Sequence, residues 1–182
     1  MSRHAGNHEK SRPFKRTRAE PISPGMKLSN ILIVVATLLV MEFAVTLFHK
    51  YVMHGIGWGW HQSHHLPGKS ARWEKNDLYA VVFASATIGL FAVGGGTDAP
   101  LWWVAFGITL YGLLYSILHD VLIHRRLPLK WQPKNRYLQR LKTAHHLHHA
   151  VRTREGAVSF GFLYTPPVRA LREELRERKK VP

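Results

Sequence analysis

Apolar positions along this chain gather into three runs, separated by polar, aromatic and histidine-rich stretches. Residues 28–48 (LSNILIVVATLLVMEFAVTLF) carry one charge, Glu42. As a helix this run rises about 31 Å, which matches a hydrocarbon core of about 30 Å. Residues 78–94 and 101–118 form two further apolar runs at the short end of the spanning range. Between them, residues 94–99 (GGGTDA) spell a tight turn, and Pro100 stands where a helix begins without losing a hydrogen bond. Asn76 and Asp77 offer a cap for the second run. Residues 135–150 (NRYLQRLKTAHHLHHA) read as an amphipathic helix, 156–167 as an apolar loop, and 168–180 as a charged surface helix. Residues 1–25 are basic, proline-containing and without apolar periodicity, and read as a disordered tail. The expected architecture is all-α: a tail over 1–25, then an integral membrane helical bundle over 26–182 with three spans.

Histidine placement sharpens this picture. Eleven of the 13 histidines fall between positions 49 and 149, and ten of those repeat one pattern twice. The first copy is His49-x4-His54 followed by His61-x2-His64-His65; the second is His119-x4-His124 followed by His145-x2-His148-His149. The second and third runs lie between the copies, so the chain crosses and returns, and all ten histidines are expected at one membrane face. His4 and His8 lie in the tail, and His146 is a neighbour outside the pattern.

Charge and composition narrow the chemistry. Lys and Arg total 26 against 11 Asp and Glu, a net charge of +15, and 19 of the basic residues lie on the histidine side of the spans. An excess of this kind suits anionic lipid or nucleic acid, and the spanning runs favour lipid. The positive-inside rule points the histidines to the cytoplasm, although the basic tail opposes it. Trp58, Trp60 and Trp73 suit the headgroup level. The absence of cysteine excludes disulfides, iron–sulfur clusters and thiolate-bound zinc, so any metal must use nitrogen or oxygen ligands.

Histidines at i, i+3 and i+4 share one helix face, so each HxxHH cluster is expected to aim three imidazoles at one place. Histidines five apart lie about 140° apart on an ideal helix. The HxxxxH pairs therefore require a helix end, a π-bulge or a role bridging two metals. Ten ligands divided between two metals give five each, leaving one place open on a six-coordinate ion. An all-imidazole shell suits iron, zinc, copper or nickel and does not suit magnesium or calcium. Carboxylates are expected behind the imidazoles, the candidates being Glu74, Asp77 and Asp120, and also Glu42, which lies seven residues before His49 on the same helical face.

The segments HKYVMHGIGWGWHQSHH (49–65), EKNDLYAVVFA (74–84), YGLLYSILHDVLIHRR (111–126) and AHHLHHAVRTREGAVSFGFLYTPP (144–167) resemble the bacterial β-carotene hydroxylases of the fatty acid hydroxylase and sterol desaturase superfamily. The resemblance runs from about Met41 to Leu171. It implies a non-haem di-iron monooxygenase that uses O2 and two electrons, from reduced ferredoxin or an NAD(P)H-linked reductase, to hydroxylate C3 of a β-ionone ring. β-Carotene would pass through β-cryptoxanthin to zeaxanthin, in a bacterial inner membrane. A polyene reaches such a site from the bilayer, and Phe43, Phe48, Trp102, Tyr111, Tyr115, Phe160 and Phe162 are candidates to line its path. Arg125, Arg126, Lys130, Lys134, Arg136, Arg140 and Lys142 form a basic face for an acidic ferredoxin or for lipid phosphates. A ketolase, fatty acid hydroxylase or desaturase would keep the same histidines. A metal transporter or bis-histidine haem protein would instead place them at mid-span. A nucleic-acid partner is not expected, because the basic residues flank spans rather than form a soluble module.

Overall fold

The computed structural model describes residues 27–66, 73–128 and 132–180, and the expected tail lies outside them. Every regular element among the described residues is helical. Helix α1 (Leu28–Leu47) continues without a break into a π-helical segment (Phe48–Ile56), and α2 (Trp58–His65) follows at a kink. Helix α3 (Asp77–Val93) turns into α4 (Pro100–Tyr115), which has Pro100 in its first turn and continues into a second π-helical segment (Ser116–Ile123). Helices α5 (Arg136–His148) and α6 (Val168–Lys180) complete the order. The Asn135 side chain caps α5 by accepting from the Tyr137 and Leu138 amides, as its position before a helical pattern predicts.

Two continuous helices, Leu28–Ile56 and Pro100–Ile123, are long and apolar enough to cross a membrane, and α3 is a shorter apolar helix. Helix α4 packs against both α1 and α3. The α1–α4 crossing is close because Gly107 meets Thr37: a Cβ at Gly107 would stand 2.8 Å from the Thr37 Cβ. The outer faces of these helices remain apolar, with Leu28, Leu39, Phe43 and Ile88 each about 70 % exposed. At the other end, α5 and α6 pack on one another around Ala144, Val158, Leu171 and Leu175. The histidines lie between this polar cap and the apolar helices.

Candidate metal centre

Each HxxxxH pair falls on a π-helical segment: His49 and His54 lie within the first, and His119 and His124 lie within and directly after the second. The wider turn of i→i+5 hydrogen bonding brings residues five apart towards one face. This settles among the three alternatives that the spacing left open. The two HxxHH clusters lie on α2 and on the last turn of α5.

The rings assemble into two abutting groups. His49, His54, His61, His65 and His148 form one, and His64, His124, His145 and His149 the other, the ring nitrogens within each lying less than 4.8 Å apart. His119 joins the second, its Nε2 standing 3.0 Å from the His64 Nε2. The groups meet where the His65 and His149 rings stack at 4.4 Å. Neither HxxHH cluster aims its three rings at one place, contrary to the simple face argument. Residues i and i+4 go to one group and i+3 goes to the other.

Seven of the ten rings are held at Nδ1 by a group that can only accept. His49 donates to the Phe160 carbonyl (3.0 Å), His54 to Arg154 (2.8 Å), His65 to Val151 (2.8 Å) and His148 to Val158 (2.9 Å). His61 donates to the Asn76 side-chain oxygen (2.7 Å), His64 to Glu74 (2.8 Å) and His119 to Asp120 (2.8 Å). With the proton on Nδ1, each Nε2 presents a bare lone pair. Yet these Nε2 atoms face one another at 3.0–3.2 Å: His49 with His61, His61 with His65, His65 with His148, His148 with His54, and His64 with His119. Two lone pairs with no proton between them repel, and a shared cation removes the conflict. An imidazole–metal bond of about 2.1 Å sets ligands at right angles about 3 Å apart, whereas tetrahedral ligands would stand about 3.4 Å apart. The observed spacing fits a five- or six-coordinate shell.

Electrostatics agree. Burial first, then the neighbouring imidazoles, push His61 down to about 3 and His124 down to about 3, and burial takes His65 down to about 4. The same two causes hold His64, His145, His148 and His149 well below the ordinary imidazole value. All are neutral at pH 7 and free to bind a cation.

The carboxylate candidates divide. Glu74 and Asp120 touch histidines directly. Asp77 touches no ring and reaches the centre through the Glu74 amide and through Arg126, whose guanidinium pairs with Glu74 (2.8 Å) and Asp77 (2.7 Å) and approaches Asp120 (3.8 Å). Glu42 does not meet a ring. Its Oε1 accepts from the amides of Phe162, Leu163 and Tyr164 (2.8, 2.8 and 3.0 Å), and its Oε2 accepts from the Tyr111 hydroxyl (2.8 Å). It thus anchors the loop whose Phe160 carbonyl holds His49. Asn76 and Asp77 do not cap α3 with their side chains; Asn76 serves His61, and Asp77 serves the Glu74 amide and Arg126. Trp58 packs on His54 and His65 instead of serving solely at an interface.

A cavity of about 500 Å³ lies between α1, α3 and α4. Phe48, Phe83, Phe91, Tyr111 and Tyr115 are among its lining, and it ends at Asn76, Asp77 and Asp120, the polar groups behind the imidazoles. The Tyr115 hydroxyl stands there 3.3 Å from the His119 Nε2. Of the seven aromatic candidates, Phe48, Tyr111 and Tyr115 line the cavity. Phe43 points outward, 67 % exposed, and Trp102 stacks on Phe106. Phe160 packs on His49, His54 and His148, and Phe162 on Tyr115 and His119. Pattern reading also passed over Asn76 as a histidine partner, Arg126 as an ion-pair hub and the carbonyls of 151–160; only Asn76, beside Glu74 and Asp77, carried any signal.

The fatty acid hydroxylase family profile matches residues 34–166. The chain belongs to the fatty acid hydroxylase family. Among its relatives is a β-carotene hydroxylase of Pantoea ananas, 55 % identical over 82 % of this chain and 85 % of that protein. Another is a β-carotene hydroxylase of Pseudescherichia vulneris, 52 % identical over 83 % of this chain and 85 % of that one. A chloroplastic β-carotene 3-hydroxylase of Arabidopsis thaliana is 35 % identical over 60 % of this chain and 36 % of its own length. No solved structure matches the chain.

Proposed function

We infer that this family member is a β-carotene hydroxylase, an oxidoreductase that inserts one oxygen atom of O2 into the β-ionone ring. The observation that carries the reading is the apolar cavity ending on the groups that hold the imidazoles, Asn76 against His61 and Asp120 against His119. A space of this size and character suits a hydrocarbon ring, with the polyene trailing into the surrounding apolar phase. The names of the bacterial relatives specify the substrate, and that of the plant relative specifies C3. The products are then β-cryptoxanthin and zeaxanthin. Each step balances as ring C–H plus O2, two electrons and two protons giving C–OH and water.

The ligand set is the ten histidines: His49, His54, His61, His65 and His148 for one iron, and His64, His119, His124, His145 and His149 for the other. Bound iron supplies activation of O2. The chain supplies what iron requires: neutral imidazoles with fixed tautomers and a water-poor approach for the ring. The lone-pair contacts at 3.0–3.2 Å and the exclusively nitrogen donor set favour a transition metal or zinc over magnesium or calcium, and the hydroxylase family favours iron among these.

The protein sits in a membrane, in this reading a bacterial inner membrane, with α1, α3 and α4 as three spans. The outward apolar faces of these helices are stable in lipid and would be unfavourable in water. The excess of basic residues on the histidine side favours the cytoplasmic face. Electrons come from reduced ferredoxin or an NAD(P)H-linked reductase. Arg125, Lys134 and Arg136 remain exposed for such a partner or for lipid phosphates, whereas Arg126 is occupied by Glu74 and Asp77. Lys130 lies outside the described residues. Expression in β-carotene-producing cells tests the reading: zeaxanthin is expected, and a ketone or unchanged β-carotene would overturn it.

A further inference from the structure

The two imidazole groups are equal in number but differ in what stands behind them. In the first group every Nδ1–H donates to a neutral oxygen: the carbonyls of Phe160, Arg154, Val151 and Val158 for His49, His54, His65 and His148, and the Asn76 amide for His61. In the second, the two rings held at Nδ1 both donate to carboxylates, His64 to Glu74 and His119 to Asp120. These carboxylates are tied together. Arg126 places Nη2 2.8 Å from Glu74, Nη1 2.7 Å from Asp77 and Nε 3.8 Å from Asp120. A guanidinium within ion-pair distance of three carboxylates holds them in place relative to one another.

An imidazole that donates to a carboxylate gains imidazolate character and becomes a stronger donor to a metal than one that donates to an amide oxygen. A stronger, more anionic shell favours the more highly charged state of the ion. We propose that the two ions are inequivalent: the one held by His64, His119, His124, His145 and His149 loses an electron first, and Glu74 and Asp120, aligned by Arg126, set the difference. Glu74 and Asp120 act through the rings and are positioning residues. The proposal rests on the two-iron reading given above.

The test uses the full-length protein in detergent, loaded with Mössbauer-active Fe(II) and titrated with ferricyanide, a one-electron oxidant. Two irons per chain are expected, as two quadrupole doublets of which one converts to Fe(III) before the other. Glu74→Gln keeps the size and an acceptor for His64 but removes the charge. It should move the first-oxidised doublet, narrow the gap between the two steps and weaken Fe(II) binding at one ion by about tenfold, the low end of effects seen when such partners are changed. Asn76→Asp is the converse, placing a carboxylate behind His61. It should move the other doublet and narrow the same gap from the opposite side, and it keeps the test available if Glu74→Gln does not accumulate. Two irons that are indistinguishable and oxidise together would overturn the inference while leaving the two-iron reading intact. So would variants that shift both doublets equally or neither. One iron or none per chain would overturn both.

Discussion

The two copies of the histidine pattern make an instructive pair, because they repeat the same spacing and yet neither builds a site alone. The first copy supplies His49, His54, His61 and His65 to one group and sends His64 to the other. The second supplies His119, His124, His145 and His149 to that other group and sends His148 back. Helix geometry explains the exchange. Residues i and i+4 lie about 40° apart around the axis, whereas i+3 lies about 60° to the opposite side. A helix wedged between the two groups therefore divides an HxxHH cluster between them. The consequence is interlock: the helices that carry the two copies must dock before either group is complete.

Breaking the exchange should give the largest effect. His64→Ala and His148→Ala each delete the one ring that a copy lends to the other, and zeaxanthin formation should fall more than about 100-fold in both, beyond the roughly 10–100-fold typical of losing only a metal ligand's partner. Iron content should also fall, with the protein still inserted in membranes. Full activity in either variant would contradict the ligand assignment.

Acid should break both copies together. The ordinary imidazole value is 6.5, whereas His61 is held down to about 3, His65 to about 4 and His124 to about 3. Between these values the unfolded chain binds protons that the folded chain refuses, so stability is present above pH 6.5 and is lost as pH falls towards 3. Each such histidine lowers stability by up to about 1.4 kcal/mol per pH unit in that window. The metal-free protein should lose several degrees of thermal midpoint between pH 7 and pH 5.5. A midpoint that rises or stays level would refute the neutral, buried state of these rings.

Glu42 sharpens the comparison, because the loop it anchors carries the carbonyl that holds His49 of the first group, while the second group receives no carbonyl from it. Its carboxylate receives three backbone amides and the Tyr111 hydroxyl, and a Cβ added at Gly161 would press on it at 3.2 Å. Glu42→Gln weakens these charge-assisted bonds and should cost about 2–3 kcal/mol. A thermal midpoint lower by about 5–10 °C is expected, and in iron-loaded protein the metal should be lost first from the group that contains His49. Equal loss of both ions would argue that the loop serves the whole cap.

Much of this arrangement was readable from spacing. The apolar runs coincide with α1, α3 and α4, Pro100 opens its helix, and the two helices between the copies return the second set of histidines to the first. The spacing of five posed a definite question, to which the π-helical segments are the answer. The division of His64 from His61 and His65 was not readable, since it depends on where α5 lies and not on α2 alone. Backbone acceptors escape sequence altogether: every residue has a carbonyl, and only the fold directs those of Val151, Arg154, Val158 and Phe160 at imidazoles. Aromatic candidates failed for a related reason. A ring such as Phe160 is equally suited to a cavity wall or to packing on histidine, and tertiary placement decides.

The smallest expected effect concerns the carbonyl side of the first group. Ser159 sits between Val158, which holds His148, and Phe160, which holds His49, and adopts a left-handed φ of 59°. A non-glycine residue there carries strain of about 1–2 kcal/mol. Its buried hydroxyl also has no hydrogen-bond partner among the described residues, adding about 1 kcal/mol of unfavourable desolvation. Ser159→Gly relieves both, at a cost of about 0.5–1 kcal/mol from the extra freedom of the unfolded chain. The balance favours the variant by at least about 1 kcal/mol, so its thermal midpoint should rise by at least about 2–4 °C with zeaxanthin formation unchanged. The second group receives no carbonyl from this loop, so the gain should follow the first group alone, as slower loss of one of the two irons to a chelator. A lower midpoint would mean that the serine hydroxyl has a role that its surroundings do not disclose.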